Sequence, residues 1–185
     1  MRLIFGQHTR RKILRIFEKL FMNSSLGNRE RKADLMRFVI QVCTEASVEV
    51  DGRVIGSIKK GCTVLVGIGQ GDNEEIADRM VKKLLGLRIF ADSDGKTNLS
   101  IRDVGGSLLI VSQFTLYADC RKGNRPSFVK AAGPDEAERL YEHILEECGR
   151  QGIPAEHGEF GADMKVSLIN DGPFTVILDS EELLN

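Results

Sequence analysis

Two short stretches hold the residues best suited to chemistry. SQFTL (residues 112–116) closes an apolar run and gathers Ser112, Gln113 and Thr115 at what reads as the end of a strand. Strand ends are where side chains and unpaired backbone N–H groups can meet a ligand; the plainer alternative is a sheet edge with its hydroxyls bonded to backbone. NDGPFT (170–175) separates the apolar runs MKVSLI and VILD. Asn, Asp, Gly and Pro are turn formers, so the stretch is expected to link two strands, 164–170 and 174–179. Its proline removes a backbone donor where pairing should resume, and a plain hairpin needs no proline. Between the two stretches, DCRKGNRPSF (119–128) clusters Arg121, Lys122 and Arg125. Such a cluster suits phosphate contact or is a solvated turn.

Other chemistries find less support. A Ser-His-Asp triad could draw on Ser112, His143 or His157, and Asp119 or Asp163. His143, beside Ile144, fits a helix surface, and His157 sits among acids in an expected strand. There is no P-loop, no G-x-G-x-x-G after a strand and no G-x-S-x-G elbow. GIGQGD (67–72) reads as a strand end turning into a helix. Cys43, Cys62, Cys120 and Cys148 form no C-x-x-C and match no zinc spacing. They read as reduced, mostly buried thiols, and with three histidines (His8, His143 and His157) a histidine-rich metal site is not expected.

The elements that must position these residues follow from periodicity. The 185 residues, 42% hydrophobic and 29% charged, suit one soluble domain, and no apolar run is long enough to span a membrane. Aromatics at 6%, with no tryptophan, argue against base-stacking platforms. Strands are expected over 37–43 and 45–51, then a two-residue turn at Asp51-Gly52 and a strand RVIGSI. CTVLVGIG (62–69) reads as a buried strand. Asn73 or Asp72 caps a helix over EEIADRMVKKLLGLR, with Ile76, Met80, Leu84 and Leu87 on one face. A short strand near Arg88–Phe90, a turn at DSDGK and a buried strand over 107–114 follow. Pro134 opens a second helix, with acids in its first turn. The expected fold class is α/β, a single domain with a mainly antiparallel, barrel-like sheet and two packing helices.

Charge divides the chain. Residues 1–35 hold nine Lys+Arg against three Asp+Glu, and residues 36–185 hold seventeen against twenty-four. The first segment reads as a basic appendage, with helical apolar spacing over 10–22. It fits an upstream mis-called start with initiation at Met36, a basic amphipathic helix on RNA or membrane, or an import peptide. Acidic residues and sparse serine argue against the last. The mis-called start is preferred, because Met36 opens a self-sufficient domain.

Taken together, SQFTL and NDGPFT, with KGNRPSF (122–128) and FGADM (160–164) between them, resemble D-aminoacyl-tRNA deacylase. ASVEVDG (46–52), LRIFAD (87–92) and GKTNLS (95–100) fit the same family, from Met36 to about Ser180. The resemblance implies hydrolysis of the ester joining a D-amino acid to the 3′ end of tRNA, and clearance of glycine mischarged onto tRNA for alanine. It implies a cytoplasmic homodimer with active sites at the interface, where a cis Gly172-Pro173 bond enters the partner's pocket and rejects L-amino acids. No metal, cofactor, DNA or membrane partner is implied. Catalytic roles would fall to Ser112, Gln113, Phe114 and Thr115. An amide of Phe114 or Thr115 would stabilise the oxyanion, and Thr115 would act as nucleophile or orient water. The family picture favours help from the tRNA's own 2′-hydroxyl instead. Met164 would line the pocket, and Arg121, Lys122 and Arg125 would contact tRNA. Family members often carry Arg just after the Gln of the first strand, where it helps to hold the Gly-Pro loop; here that position is Val42. A triad-type esterase and a non-catalytic RNA-binding module of the same fold are the alternatives.

Overall fold

The computed structural model describes residues 36–184. The basic segment 1–35 and the helix expected over 10–22 lie outside the described residues.

Strand β1 (Arg37–Val50) is the spine of the molecule. Its first half pairs antiparallel with β3 (Gly61–Gly67) and its second half with β2 (Arg53–Ile58). The sequence suggests two strands here, 37–43 and 45–51, but they are one. Residue alternation explains this: Phe38, Ile40 and Val42 are buried with every second side chain, and the strand continues into a second buried set, Ala46 and Val48.

The far edge of β1 is covered along its whole length by β8 (Met164–Asp179), also a single strand. The expected hairpin at NDGPFT is therefore not a turn. Both halves of β8 run antiparallel to β1, from Val50↔Met164 through Cys43↔Asn170 and on from Gln41↔Thr175 to Arg37↔Asp179. The chain does not reverse between them; it bulges out over Asp171–Phe174 and rejoins the same ladder. A partner strand as long as β1 rewards continuing in one direction more than turning back.

The rest of the sheet is mixed. β6 (Ser107–Ser112) lies parallel to β3, and β7 (Ala155–His157) parallel to β6. Parallel neighbours need long crossovers, which here contain the helices. The main sheet runs β2-β1-β3-β6-β7, with β8 on β1. Its ends come close: a Cβ placed on Gly56 of β2 would sit 2.9 Å from the His157 carbonyl oxygen of β7. The sheet is thus nearly a closed barrel. A separate ribbon pairs β4 (Phe90–Ala91) with β5 (Thr97–Leu99).

Helix α1 (Glu74–Gly86) is capped by Asn73, whose Oδ1 accepts the Ile76 N–H at 3.0 Å. Helix α2 (Pro134–Arg150) opens on Pro134, with Asp135 and Glu136 in its first turn. α1 buries Ile76, Ala77, Met80, Val81, Leu84 and Leu85; α2 buries Leu140, Tyr141, Ile144 and Cys148. Both stripes pack on the sheet with Phe38, Ile40, Val64 and Leu108 to form the main core. A smaller cluster, including Cys43, Val48, Ile58 and Leu109, fills the other face. A short helix α3 (Ser180–Leu184), not foreseen in the sequence, follows β8. Of the four thiols, Cys43, Cys62 and Cys148 are buried and Cys120 is exposed.

Candidate functional site

A cavity of about 610 Å³ opens where β3 and β6 end. Ser112, Gln113 and Phe114 form one wall and Met164 another, so these four residues come together from distant parts of the chain. Much of the remaining lining is apolar, with Val66, Ile68, Phe128 and Phe160 contributing. Phe128 and Phe160 lie within the KGNRPSF and FGADM stretches, but sequence alone gave them no role. Their signal was a large aromatic beside glycine and polar residues, too common to single out.

The SQFTL stretch does not stay extended to its end. β6 stops at Ser112, and Phe114–Tyr117 wind into one 3-10 turn. The switch is pinned from both sides. Gln113 N–H donates to the Val66 carbonyl at 2.7 Å, and the buried Tyr117 hydroxyl donates to the Gly67 carbonyl at 3.2 Å. Opening a helical turn leaves the first amides without an intrahelical acceptor. Here those amides belong to Phe114 and Thr115, and neither has a hydrogen-bond acceptor among the described residues. The Thr115 hydroxyl accepts from Gln113 Nε2 at 2.6 Å. Phe114, 57% exposed, sets its ring edge-on to Phe128 at 5.0 Å.

The other residues fall elsewhere. Gly172 and Pro173 are exposed on the β8 bulge, and they do not line the cavity of their own chain. Their peptide bond is cis. Arg121, Lys122 and Arg125 lie on an exposed loop closed by an Asp119↔Ser127 bridge. Arg121 is paired with Asp119, and its hydrogen bonds hold that carboxyl well below the usual carboxylate range. Neither histidine joins Ser112. His143 Nε2 is 2.7 Å from Asp78, bridging α2 to α1, and His157 Nδ1 faces the Gly158 carbonyl at 3.0 Å. Among the described residues no hydrogen bond links Ser112 to a histidine, so the triad is not assembled.

Fold and cavity together define a small α/β domain with a largely apolar cavity at its strand ends. The family model for D-Tyr-tRNA(Tyr) deacylase matches residues 39–179, and the chain belongs to that family. A D-aminoacyl-tRNA deacylase from Thermosipho africanus (strain TCF52B) is 52% identical over 80% of this chain and 99% of its own length. One from Clostridium tetani (strain Massachusetts / E88) is 53% identical over the same shares. A solved structure titled c-Myc DNA Unwinding Element Binding Protein superposes with a TM-score of 0.73 at 40% identity, covering 77% of this chain and 97% of that one. A probable eukaryotic D-amino acid tRNA deacylase shares the fold, with a TM-score of 0.65 at 18% identity over 78% and 98% of the two chains. The chain is accordingly a hydrolase with D-aminoacyl-tRNA deacylase activity.

Proposed function

We propose that the chain works as a cytoplasmic homodimer whose pocket hydrolyses D-aminoacyl and glycyl esters of tRNA, glycine on tRNA for alanine included, while the partner's Gly172-Pro173 bulge refuses L-amino acids. The observation that carries this reading is the pair of amides, Phe114 and Thr115, that have no acceptor among the described residues; Phe114 lines the apolar pocket and Thr115 follows it in the same turn. An aminoacyl ester is already activated. When water adds to its carbonyl carbon, negative charge grows on the carbonyl oxygen, and a fixed N–H donor stabilises that charge more than the ground state. The tetrahedral adduct then expels the ribose 3′-oxygen, which takes up a proton. The neighbouring 2′-hydroxyl can relay that proton, which suits a site where, among the described residues, no histidine is bonded to Ser112. Gln113 holds the Thr115 hydroxyl in place, Ser112 and Met164 shape the pocket, and Arg121, Lys122 and Arg125 supply local cations for the tRNA backbone.

Two features of β8 support the dimer reading. This strand pairs only with β1, so its outer edge is open among the described residues, and it exposes Ile169 and Ile177. An edge of this kind invites a second chain. Gly172 and Pro173 also do not line the 610 Å³ cavity of their own chain. A pocket that accepts many D side chains cannot read the side chain. It reads the arrangement around Cα, and rigid backbone groups that leave no room on one side exclude the L-isomer. Glycine, with hydrogen on both sides, passes.

Deacylation of D-Tyr-tRNA, L-Tyr-tRNA and Gly-tRNA by the purified chain tests this directly. Loss of the D- and glycyl esters with the L-ester intact is expected; cleavage of the L-ester alone would overturn it.

A further inference from the structure

We infer that Asn170 is the positioning residue of the Gly172-Pro173 bulge and, through it, a determinant of stereochemical selectivity. The inference rests on the reading of that bulge as the selectivity gauge.

The ladder between β1 and β8 shifts register once between Glu45↔Ile169 and Cys43↔Asn170, breaks after Cys43↔Asn170 and resumes at Gln41↔Thr175. Asp171 to Phe174 therefore have no ladder partner on β1. Only Val42 lies between the two registered pairs on β1. It is 5% exposed and buried in the main core, and its side chain has no hydrogen-bonding group. Within the bulge, one side-chain hydrogen bond occurs among the described residues. Asn170 Oδ1 accepts the Phe174 N–H at 2.8 Å. The bond spans the foot of the bulge, from the last registered residue before it to the residue just ahead of the point where pairing resumes. It is a local side-chain-to-backbone bond of the kind Asn forms in turns.

The Phe174 amide also sits against the apex. A Cβ on Gly172 would lie 3.1 Å from the Phe174 nitrogen and 3.2 Å from the Phe174 Cβ, and Gly172 has a φ of +125°. A side chain at Gly172 is thus disfavoured twice, by a strained conformation and by tight contact with the residue that Asn170 fixes. The Phe174 side chain is half-buried against the main core. The apex accordingly hangs from two fastenings: the Phe174 side chain below, and the Asn170 carboxamide beside it. Releasing the second leaves Gly172 and Pro173 free to shift while the sheet on both sides stays paired.

A bulge that shifts admits the L-isomer without hindering the D-isomer. Asn170→Ala and the bulkier Asn170→Leu both remove the acceptor, while Asn170→Asp keeps an oxygen at the same point. Single-turnover deacylation of D-Tyr-tRNA and L-Tyr-tRNA is to be measured for each, with Pro173→Ala alongside. Expected for Ala and Leu is a fall in D-over-L discrimination of about tenfold, on the order of one hydrogen bond's net contribution, with the D-rate nearly unchanged and discrimination restored by Asp. Unchanged discrimination in the Ala and Leu variants, with Pro173→Ala impaired, would overturn the role of Asn170 alone. Unchanged discrimination in Pro173→Ala as well would overturn the gauge itself. Amide hydrogen exchange on the unaltered protein gives an independent check. The Phe174 amide is expected to exchange more slowly than that of Gly172, and equal rates would overturn the inference.

Discussion

Arg37 and Asp179 join the first and last strands of the sheet: Arg37 Nε donates to Asp179 Oδ2 at 2.7 Å. The same guanidinium donates through Nη1 to the Leu116 carbonyl at 3.3 Å and lies 5.4 Å from the Tyr117 ring centroid. One side chain thus ties the sheet to the 3-10 turn that presents the Phe114 and Thr115 amides. Arg37→Met keeps the stem and loses these bonds. It is expected to lower kcat/KM on D-Tyr-tRNA about tenfold. A half-buried pair contributes only modestly to stability, so Tm should fall by a few degrees at most. Parallel activity assays and thermal melts would check this, and a melt that collapses with activity intact would contradict it.

Asp72 was one of two candidates for the cap of α1, and Asn73 took that role. Asp72 instead lies 3% exposed and accepts the Met36 N–H at 2.8 Å and the Gly69 N–H at 2.7 Å. Burial raises its pKa to about 6, against the opposing pull of those two N–H groups. Its folded pKa thus exceeds its unfolded value, and the folded state holds the proton more tightly. The stabilisation from this proton is fully present below the unfolded pKa, near 3.8, and is lost as pH rises through about 6. In Asp72→Asn this pH dependence disappears. Urea denaturation between pH 4 and 7 should show the wild type losing about 1–3 kcal/mol relative to the variant across that window. Parallel curves would refute the assignment.

The catalytic proposal separates from a serine mechanism by substitution and by substrate. Ser112→Ala should retain activity within about fivefold, because among the described residues no histidine is bonded to Ser112 to activate it. A D-ester on tRNA ending in 2′-deoxyadenosine should react about a hundredfold more slowly, a typical size for removing a positioned proton-transfer group. Single-turnover rates decide both. An inactive Ser112→Ala together with an unaffected deoxy substrate would point to the serine.

Gly61 lies where β3 starts its parallel pairing with β6. A Cβ there would fall 1.8 Å from the Ser107 carbonyl oxygen, which is backbone and cannot swing aside. Gly61→Ala should therefore force the two central strands apart and cost more than about 3 kcal/mol, or abolish soluble expression. Gly149→Ala, in α2 where a Cβ meets nothing within 4 Å, should be neutral or slightly stabilising. Chemical denaturation of both variants makes the comparison.

What could be read from the sequence depended on how local the cause was. Helix α2 was legible because Pro134, two acids and an apolar stripe all lie within it. The α1 cap was legible to within one residue. It took the tertiary structure to decide, since Asp72 is drawn inward by the Met36 and Gly69 amides. The single course of β8 was not legible. Turn residues at NDGPFT look alike whether the chain reverses or bulges, and the decision belongs to β1, more than a hundred residues away. The 3-10 turn at Phe114 was hidden for a similar reason: its apolar residues continue the pattern of β6, and its bonds reach back to Val66 and Gly67. Ser112, Gln113, Phe114 and Met164 were nonetheless recognisable as a group before their meeting in one cavity could be seen.

The bulge on β8 also bears on how such a domain can change over time. Both flanks of β8 are held by β1, so residues inserted or exchanged over Asp171–Phe174 leave the register of either flank alone. The same residues are absent from their own chain's cavity wall. Mutation can therefore explore the bulge without altering the residues that line the cavity of the same chain. Under the selectivity role proposed for the bulge, the rule for which molecules are refused is free to evolve on a separate clock from the reaction itself.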